Sequence, residues 1–154
     1  MAIICVSHGV TMAQQPFEFR HHDMKSGLQD NHVNVLTQTE EGHLLIGHRK
    51  GLSIFDGSEF RPLNLSNDTN SIGEVLSFLN RKDGSLLIGT AGGKILEYFG
   101  GRLDVLNDTL PSGITNILFN ETDKEEVFLT KNLDALVKGP HGTNTAKAAV
   151  IDII

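Results

Sequence analysis

One short segment of this chain is written twice, 42 residues apart. Residues 42–47 read Gly-His-Leu-Leu-Ile-Gly and residues 84–89 read Gly-Ser-Leu-Leu-Ile-Gly. A short apolar run between two glycines is typical of a β-strand that begins and ends at a tight turn. The sequence therefore predicts that both copies are strands at the same position of a repeated unit.

The residues around each copy predict further short strands. The first repeat predicts strands over residues 33–38, 43–48, 52–55 and 58–63, and the second over 75–79, 85–89, 94–99 and 102–106. A third, weaker repeat predicts strands over 117–119, 127–129 and 135–137. A period of about 40 to 45 residues with several strands in each period is typical of a β-propeller blade. Closed propellers need about four to eight blades. We therefore expect an all-β fold with about three four-stranded antiparallel blades, which is an incomplete propeller.

These repeats divide the chain into three regions. Residues 1–15 resemble a signal peptide, residues 16–139 form the partial propeller, and residues 140–154 are a tail or the start of a truncated further blade. The expected blades cover about residues 17–63, 64–106 and 107–139. The short apolar start followed by Thr11-Met12-Ala13 indicates export.

Composition narrows the function classes. The net charge is −6, and the basic residues are scattered, which argues against a nucleic-acid partner. No run approaches the ~20 apolar residues of a membrane span. The lone Cys5 has no partner for a disulfide within the chain.

The histidines and serines do not predict a catalytic or metal site. His43 and His48 are five residues apart on one strand, so they face opposite sides of a sheet, about 16 Å apart at ~3.3 Å per residue. His21 and His22 are adjacent in a loop and rarely converge on one ion. No nucleophile-elbow motif is present. We therefore predict no catalytic residue, no metal and no cofactor.

The loops carry the candidate binding residues. Strands of a blade run alternately up and down, so the loop before the first strand and the loop between the second and third emerge on one face. Polar loop residues on a rigid scaffold are the usual recognition groups. Asp30, Asn31 and Arg49 are therefore hypothetical ligand contacts. The glycines of the repeat are assigned to structural turns: Gly42, Gly47, Gly51, Gly57, Gly84 and Gly89.

The order of these motifs resembles the two-component regulator propeller repeat. The resemblance is carried by Gly27-Leu28, Asp30-Asn31-His32-Val33, Glu41-Gly42, Leu44-Leu-Ile-Gly47, Gly51-Leu52 and Asp56-Gly57. The chain departs from that pattern where the family has tryptophan, at Leu45, Leu87 and Phe128. The family's Gly-Thr pair is Gly47-His48 and Thr130-Lys131 in two repeats, and it is intact as Gly89-Thr90.

The resemblance implies a function in signal transduction. It implies a non-enzymatic propeller fragment from the periplasmic sensing region of a bacterial two-component sensor histidine kinase, with an oligosaccharide or another small ligand. The implied partners are the remaining blades of the parent propeller, together with self-association in the parent. Two alternatives stay open: a protein–protein interaction module without a small ligand, and a propeller enzyme of the lyase type.

Overall fold

The structure is a computed structural model that describes residues 18–66, 71–107, 110, 112–120, 124–132, 134–139 and 142–147. The predicted signal-like segment, residues 1–15, lies outside this part of the chain. The described residues form twelve strands in three four-stranded antiparallel sheets, and one 3-10 turn at Met24–Ser26. The predicted all-β class with antiparallel blades is confirmed.

Each sheet follows the chain order from one edge to the other. The first sheet contains β1 (Val33–Gln38), β2 (Leu44–His48), β3 (Gly51–Phe55) and β4 (Phe60–Leu63). The second contains β5 (Val75–Asn80), β6 (Leu86–Thr90), β7 (Ile95–Phe99) and β8 (Arg102–Asn107). The third contains β9 (Ile114–Asn120), β10 (Glu125–Thr130), β11 (Asp134–Gly139) and β12 (Gly142–Lys147). Strands β1, β5 and β9 lie next to one another at the inner edges of the three sheets.

The third blade is longer than the sequence predicts. The expected boundary at residue 139, with 140–154 as a tail or a truncated further blade, is wrong for Gly142–Lys147. This strand pairs with β11 along its length and completes the third sheet. It reads Gly-Thr-Asn-Thr-Ala-Lys, with no large apolar side chain. An outer edge strand of this composition has no period-two apolar pattern for sequence analysis to detect.

The register of the third repeat also differs from the expected one. One backbone bond recurs in each sheet: Arg49 N–H to His32 O (3.3 Å), Ala91 N–H to Glu74 O (2.8 Å) and Lys131 N–H to Gly113 O (2.9 Å). Thr130 directly precedes the donor of this bond, as His48 and Thr90 do in the other two sheets. Thr130 is therefore equivalent to His48 and Thr90, whereas the sequence aligned it with Gly47 and Gly89.

The shift by one residue changes which side chains are equivalent. Leu129 faces Asn116 across the ladder, as Gly47 faces Val35 and Gly89 faces Ser77. Phe128 therefore corresponds to Ile46 and Ile88, and it does not correspond to Leu45 and Leu87 as the sequence suggested. The third repeat lacks the glycines that align the first two repeats, so the sequence did not reveal this shift.

The core consists of two apolar layers between consecutive sheets. The layer between the first and second sheets includes Leu45 and Leu52 from one side and Val75, Ile88 and Leu96 from the other, all at most 2% exposed. The second layer joins the second and third sheets through Leu87, Ile95, Ile114, Ile117, Phe128 and Leu136. Burying each such side chain contributes about 1.5–3 kcal/mol, so stacking of sheets supplies much of the driving force for folding.

Two of the glycines assigned to turns lie inside strands, and that assignment is wrong for both. A Cβ atom at Gly47 would lie 2.5 Å from Val75 Cγ1 of the second sheet. A Cβ atom at Gly89 would lie 2.6 Å from Ile114 Cγ2 of the third sheet. These glycines are therefore required by the close approach of the next blade, not by a bend of the chain.

The other four glycines of the set have the positive φ values of turn positions, and Gly51 is also the first residue of β3. Gly42, Gly51, Gly57 and Gly84 have positive φ values between +83° and +136°.

Polar side chains also form hydrogen bonds across the junctions between sheets. Asn34 Nδ2 donates to Val75 O (2.9 Å), and Arg81 Nε of the second sheet bonds Glu126 Oε1 of the third (2.6 Å). Within the described residues, no helix has the length and apolarity to cross a bilayer.

Candidate functional site

The loops on one face of the stacked sheets form a continuous rim. In the first sheet, the Arg49 N–H bond to His32 O joins the β2–β3 turn to the loop before β1, and Lys50 Nζ donates to Gln29 O (3.4 Å). The second sheet repeats the lysine contact, since Lys94 Nζ donates to Ser71 O (3.2 Å). The two loops that were expected to share a face are therefore in direct contact. We call this face the rim.

Two of the predicted ligand contacts have structural roles in the rim loop. Asp30 Oδ1 accepts the backbone N–H of His32 (2.8 Å), which closes an Asx turn. Asn31 Oδ1 accepts the backbone N–H of Met24 (2.9 Å) and so holds the 3-10 turn against the loop. Both side chains fix the shape of the rim, and their role in ligand binding stays a prediction.

Electrostatics link Asp30 to the basic residues of the neighbouring turn. The pKa of the Asp30 carboxyl lies below its ordinary value, first because the carboxylate accepts the His32 N–H. Desolvation opposes this shift, and the positive charges of Lys50 and Arg49 add to it. Asp30 is therefore ionised at neutral pH and lies close to two cations.

Arg49 is the predicted contact that is most available to a ligand. Its side chain is exposed, and no carboxylate among the described residues lies within 4 Å of its guanidinium group. A guanidinium presents five N–H donors in a planar fork. This group can donate to hydroxyl or carboxylate oxygens of a molecule bound on the rim.

A groove of about 490 Å³ opens on the rim between the first and second sheets. Its lining includes polar residues from four loops and strands: Gln29, His48, Lys50, Asn64 and Ser71. Amide, hydroxyl and ammonium groups at the edge of a partly apolar groove are suited to a small, hydroxyl-rich molecule. Arg49 lies in the chain between His48 and Lys50, which both line this groove, but it is not itself one of the lining residues.

His48 is buried at the floor of this groove, and the sequence analysis did not assign it a role there. It is 1% exposed, and its Nε2 lies 2.9 Å from Ser53 Oγ, which is fully buried. The Nδ1 atom accepts the backbone N–H of Lys50 (3.2 Å). Because Nδ1 accepts, Nε2 carries the proton and donates it to Ser53 Oγ. His48 is therefore not placed as a base for Ser53, and the pair joins β2 to β3 at the turn.

A comparison of repeats gives the signal that could have identified His48. The second sheet has Thr90 at this position, with its hydroxyl bonded to both the N–H and the carbonyl of Lys94. The residue of the second sheet that is equivalent to Ser53 is Leu96, because Ser53 pairs with Ile46 and Leu96 pairs with the equivalent Ile88. A histidine and a serine thus replace a threonine and a leucine together, which indicates a coupled pair.

Among the described residues, no group of three or more His, Cys, Asp or Glu side chains is placed to hold a metal ion.

Comparisons with known proteins agree with the geometry at the level of fold. No protein-family model and no curated protein matches the sequence. Among solved structures, the extracellular domain of the hybrid two component system BT4673 from B. thetaiotaomicron is similar, with a TM-score of 0.65 and 19% identity. The match covers 82% of this chain and 18% of that chain.

A second similar structure belongs to an enzyme. Virginiamycin B lyase from Staphylococcus aureus matches with a TM-score of 0.62 and 15% identity, covering 82% of this chain and 44% of the lyase. A protein of unknown function from Bacteroides caccae matches with a TM-score of 0.51 and 18% identity, covering 76% of this chain and 46% of that chain. The chain thus spans less than half of the length of each of these proteins. At these identities the likeness establishes a shared blade fold, which is the fold implied by the two-component regulator propeller repeat.

Proposed function

We propose that this chain is a non-enzymatic part of a sensory propeller that binds a small polar ligand on its rim. The observation that supports this proposal most is the groove between the first two blades, beside the turn that carries the exposed Arg49. The rim loops are held by repeated lysine-to-carbonyl bonds, so the groove is formed before a ligand arrives. A preformed site loses less conformational entropy on binding.

The ligand class follows from the groups at the groove. Asn64 and Ser71 line the groove and supply donors and acceptors, and the guanidinium of Arg49 in the adjoining turn offers several N–H donors in one plane. Oligosaccharides present many hydroxyl groups of both kinds. We propose an oligosaccharide as the ligand, with Asp30 and Asn31 shaping the loop and Arg49 making direct contact.

The place of this chain in a signalling system is part of the same proposal. We place it in the periplasmic region of a bacterial two-component sensor histidine kinase, where the remaining blades come from the parent protein. The similarity to extracellular domains of a two component system supports this. Those domains are about five times longer than the matched part, which agrees with a parent that carries more blades.

A lyase activity is the competing proposal, and the similar lyase fold is the observation behind it. The tautomer of His48 counts against it on the rim, since its Nε2 already donates to Ser53 Oγ. A general base needs a free acceptor nitrogen within reach of the proton that it removes.

A thermal shift screen against oligosaccharides tests the proposed function. A ligand at 100 times its Kd stabilises the folded state by about 2.7 kcal/mol, so the Tm is expected to rise by several degrees. Arg49→Ala should remove most of this rise. Arg102→Ala is the matched control, since Arg102 is also exposed and lies on β8 away from the groove. If no sugar raises the Tm, or if Arg49→Ala responds like the unchanged chain, the proposal fails.

A further inference from the structure

A second groove lies on the face opposite the rim. It has a volume of about 440 Å³ and runs between the first two sheets, where the β1–β2 and β5–β6 turns meet the end of β7. Its lining includes Glu40, Glu41, Arg81, Tyr98 and Phe99. None of these residues takes part in the rim site. We call it the lower groove.

The lower groove carries negative charge that the described residues do not neutralise. No Lys, Arg or His side chain among them lies within 4 Å of the Glu40 or Glu41 carboxylate. Arg81 lies in the wall, but its guanidinium group is bound to Glu97 and to Glu126. The cation nearest to the groove is therefore already paired with other carboxylates.

The Glu40 carboxylate lies against the neighbouring β5–β6 turn. A Cβ atom at Gly84 would lie 2.7 Å from Glu40 Oε2, so the carboxylate sits directly over the backbone of the β5–β6 turn. The Thr39 hydroxyl donates to the Glu41 carboxylate, which contributes to the lowered pKa of Glu41 after its own backbone N–H. The Glu40 carboxylate thus lies beside the groove, and the lowered pKa of Glu41 favours its ionised form there.

Tyr98 adds an unpartnered polar group to the wall of the groove. Its side chain lines the groove and is 6% exposed as a whole, and no hydrogen bond joins its hydroxyl to the described residues. The hydroxyl oxygen itself is open to the groove, since the only described buried side-chain polar atom without a partner is Ser77 Oγ. A tyrosine oxygen that faces an open groove and bonds no other residue can accept a hydrogen bond from a bound molecule. The adjacent Phe99 also lines the groove and is 58% exposed, which is unusual for a large aromatic ring.

We propose that the lower groove binds an organic cation, an ammonium or guanidinium group, between the Glu40 and Glu41 carboxylates and the Tyr98 and Phe99 rings. The carboxylates supply Coulombic attraction, the exposed ring supplies a cation–π contact, and the Tyr98 oxygen accepts one N–H of the cation. Such a group is carried either by a free amine or by a lysine or arginine side chain of a partner protein. Both sources share this recognition chemistry.

The composition of the chain makes this site easy to observe. Tyr98 is the single tyrosine and the chain has no tryptophan, so tyrosine fluorescence reports on this groove alone. Two probes separate the sources of the cation: cadaverine for a free amine, and an N-acetylated Gly-Lys-Gly amide for a protein side chain. The same peptide with norleucine in place of lysine is the neutral control.

The expected result is a saturable change in Tyr98 fluorescence with one or both cationic probes and none with the norleucine peptide. The double variant Glu40→Gln and Glu41→Gln should weaken binding at least tenfold, and 0.5 M NaCl should weaken it as well. Glu59→Gln is the matched control, because Glu59 lies on the β3–β4 turn of the same face and does not line the groove. It should leave the affinity unchanged.

Three outcomes would overturn the proposal: no saturable response, an equal response to the neutral peptide, or an unchanged affinity in the double variant. Phe99→Leu provides a second route if the double variant does not fold. Removal of this exposed ring should weaken binding several-fold while the melting curve stays cooperative. Equal affinities for Phe99→Leu and the unchanged chain would contradict the aromatic part of the site.

Discussion

His48 shows how one buried side chain connects the rim to the stability of the fold. Its Nδ1 receives the Lys50 N–H and its Nε2 donates to Ser53, so only the neutral ring satisfies both bonds. Burial lowers the pKa of His48 below its ordinary value of 6.5, although the negative charge of Asp30 opposes that shift. Protonation of the folded state would therefore break the Lys50 contact at the rim.

We predict that the free energy of unfolding falls as the pH drops below about 6.5. The unfolded chain takes up the proton at the ordinary pKa, and the folded chain takes it up only at a lower pH. The contribution of neutral His48 is thus fully present above pH 6.5 and is lost as the pH falls toward the folded pKa. Urea unfolding at pH 7.5 and pH 5.5 measures the difference.

His48→Thr, which copies Thr90 of the second sheet, should lose this part of the pH dependence. His32→Thr serves as the control because His32 is exposed. If both variants keep the pH dependence of the unchanged chain, His48 is not its source.

At the scale of elements, the junction between blades depends on bare backbone in β2 and β6. We predict that Gly47→Ala lowers the free energy of unfolding by about 1–3 kcal/mol, because the new methyl group would overlap Val75 across the junction. Gly92→Ala is the control: it lies in the β6–β7 turn, has no positive φ, and an added Cβ there meets no atom within 4 Å. Chemical denaturation measures the free energy of unfolding of both variants. An equal loss in Gly47→Ala and Gly92→Ala would contradict this account.

The first two blades could be predicted from sequence because each turn carries a glycine that fixes the register. The third blade was predicted less accurately, because its sequence lacks those glycines. Its alignment with the other two blades was wrong by one residue, and Thr130 pairs with Ile114. Strand β12 was missed because an outer strand without large apolar side chains has no detectable period. Gly47 was taken for a turn because sequence alone does not distinguish a bend from a close approach.

The binding surfaces were predictable only in part. The loops that form the rim followed from strand alternation, and Arg49 lies where that argument places it. The groove itself depends on residues from two blades, such as Lys50 and Ser71, and only their packing brings them together. The lower groove was not predicted, because its tyrosine and its carboxylates come from different sheets.

At the scale of the whole molecule, the outer faces of the first and third sheets are partly apolar. Leu36 is 62% exposed and Leu118 is 41% exposed. The far face of the third sheet also carries Leu129 where the first two sheets have glycine. Any blade stacked on that face therefore meets a leucine side chain instead of bare backbone.

We predict that this chain, studied by itself, associates in solution through these faces. Sedimentation velocity should show species larger than the monomer at micromolar concentration, and Leu36→Lys should shift them toward the monomer. Arg20→Lys is a neutral control at an exposed position before the first sheet. A single monomeric species across the concentration range would contradict the prediction.

The central claim is that three equivalent four-stranded sheets stack face to face, with strand glycines at the junctions. Nuclear Overhauser spectroscopy on protein with labelled valine and isoleucine methyl groups tests it most directly. The account predicts cross-peaks from Gly47 Hα to the Val75 methyl groups and from Gly89 Hα to the Ile114 methyl groups. Absence of both cross-peaks in a folded sample, with contacts confined to each sheet, would contradict it.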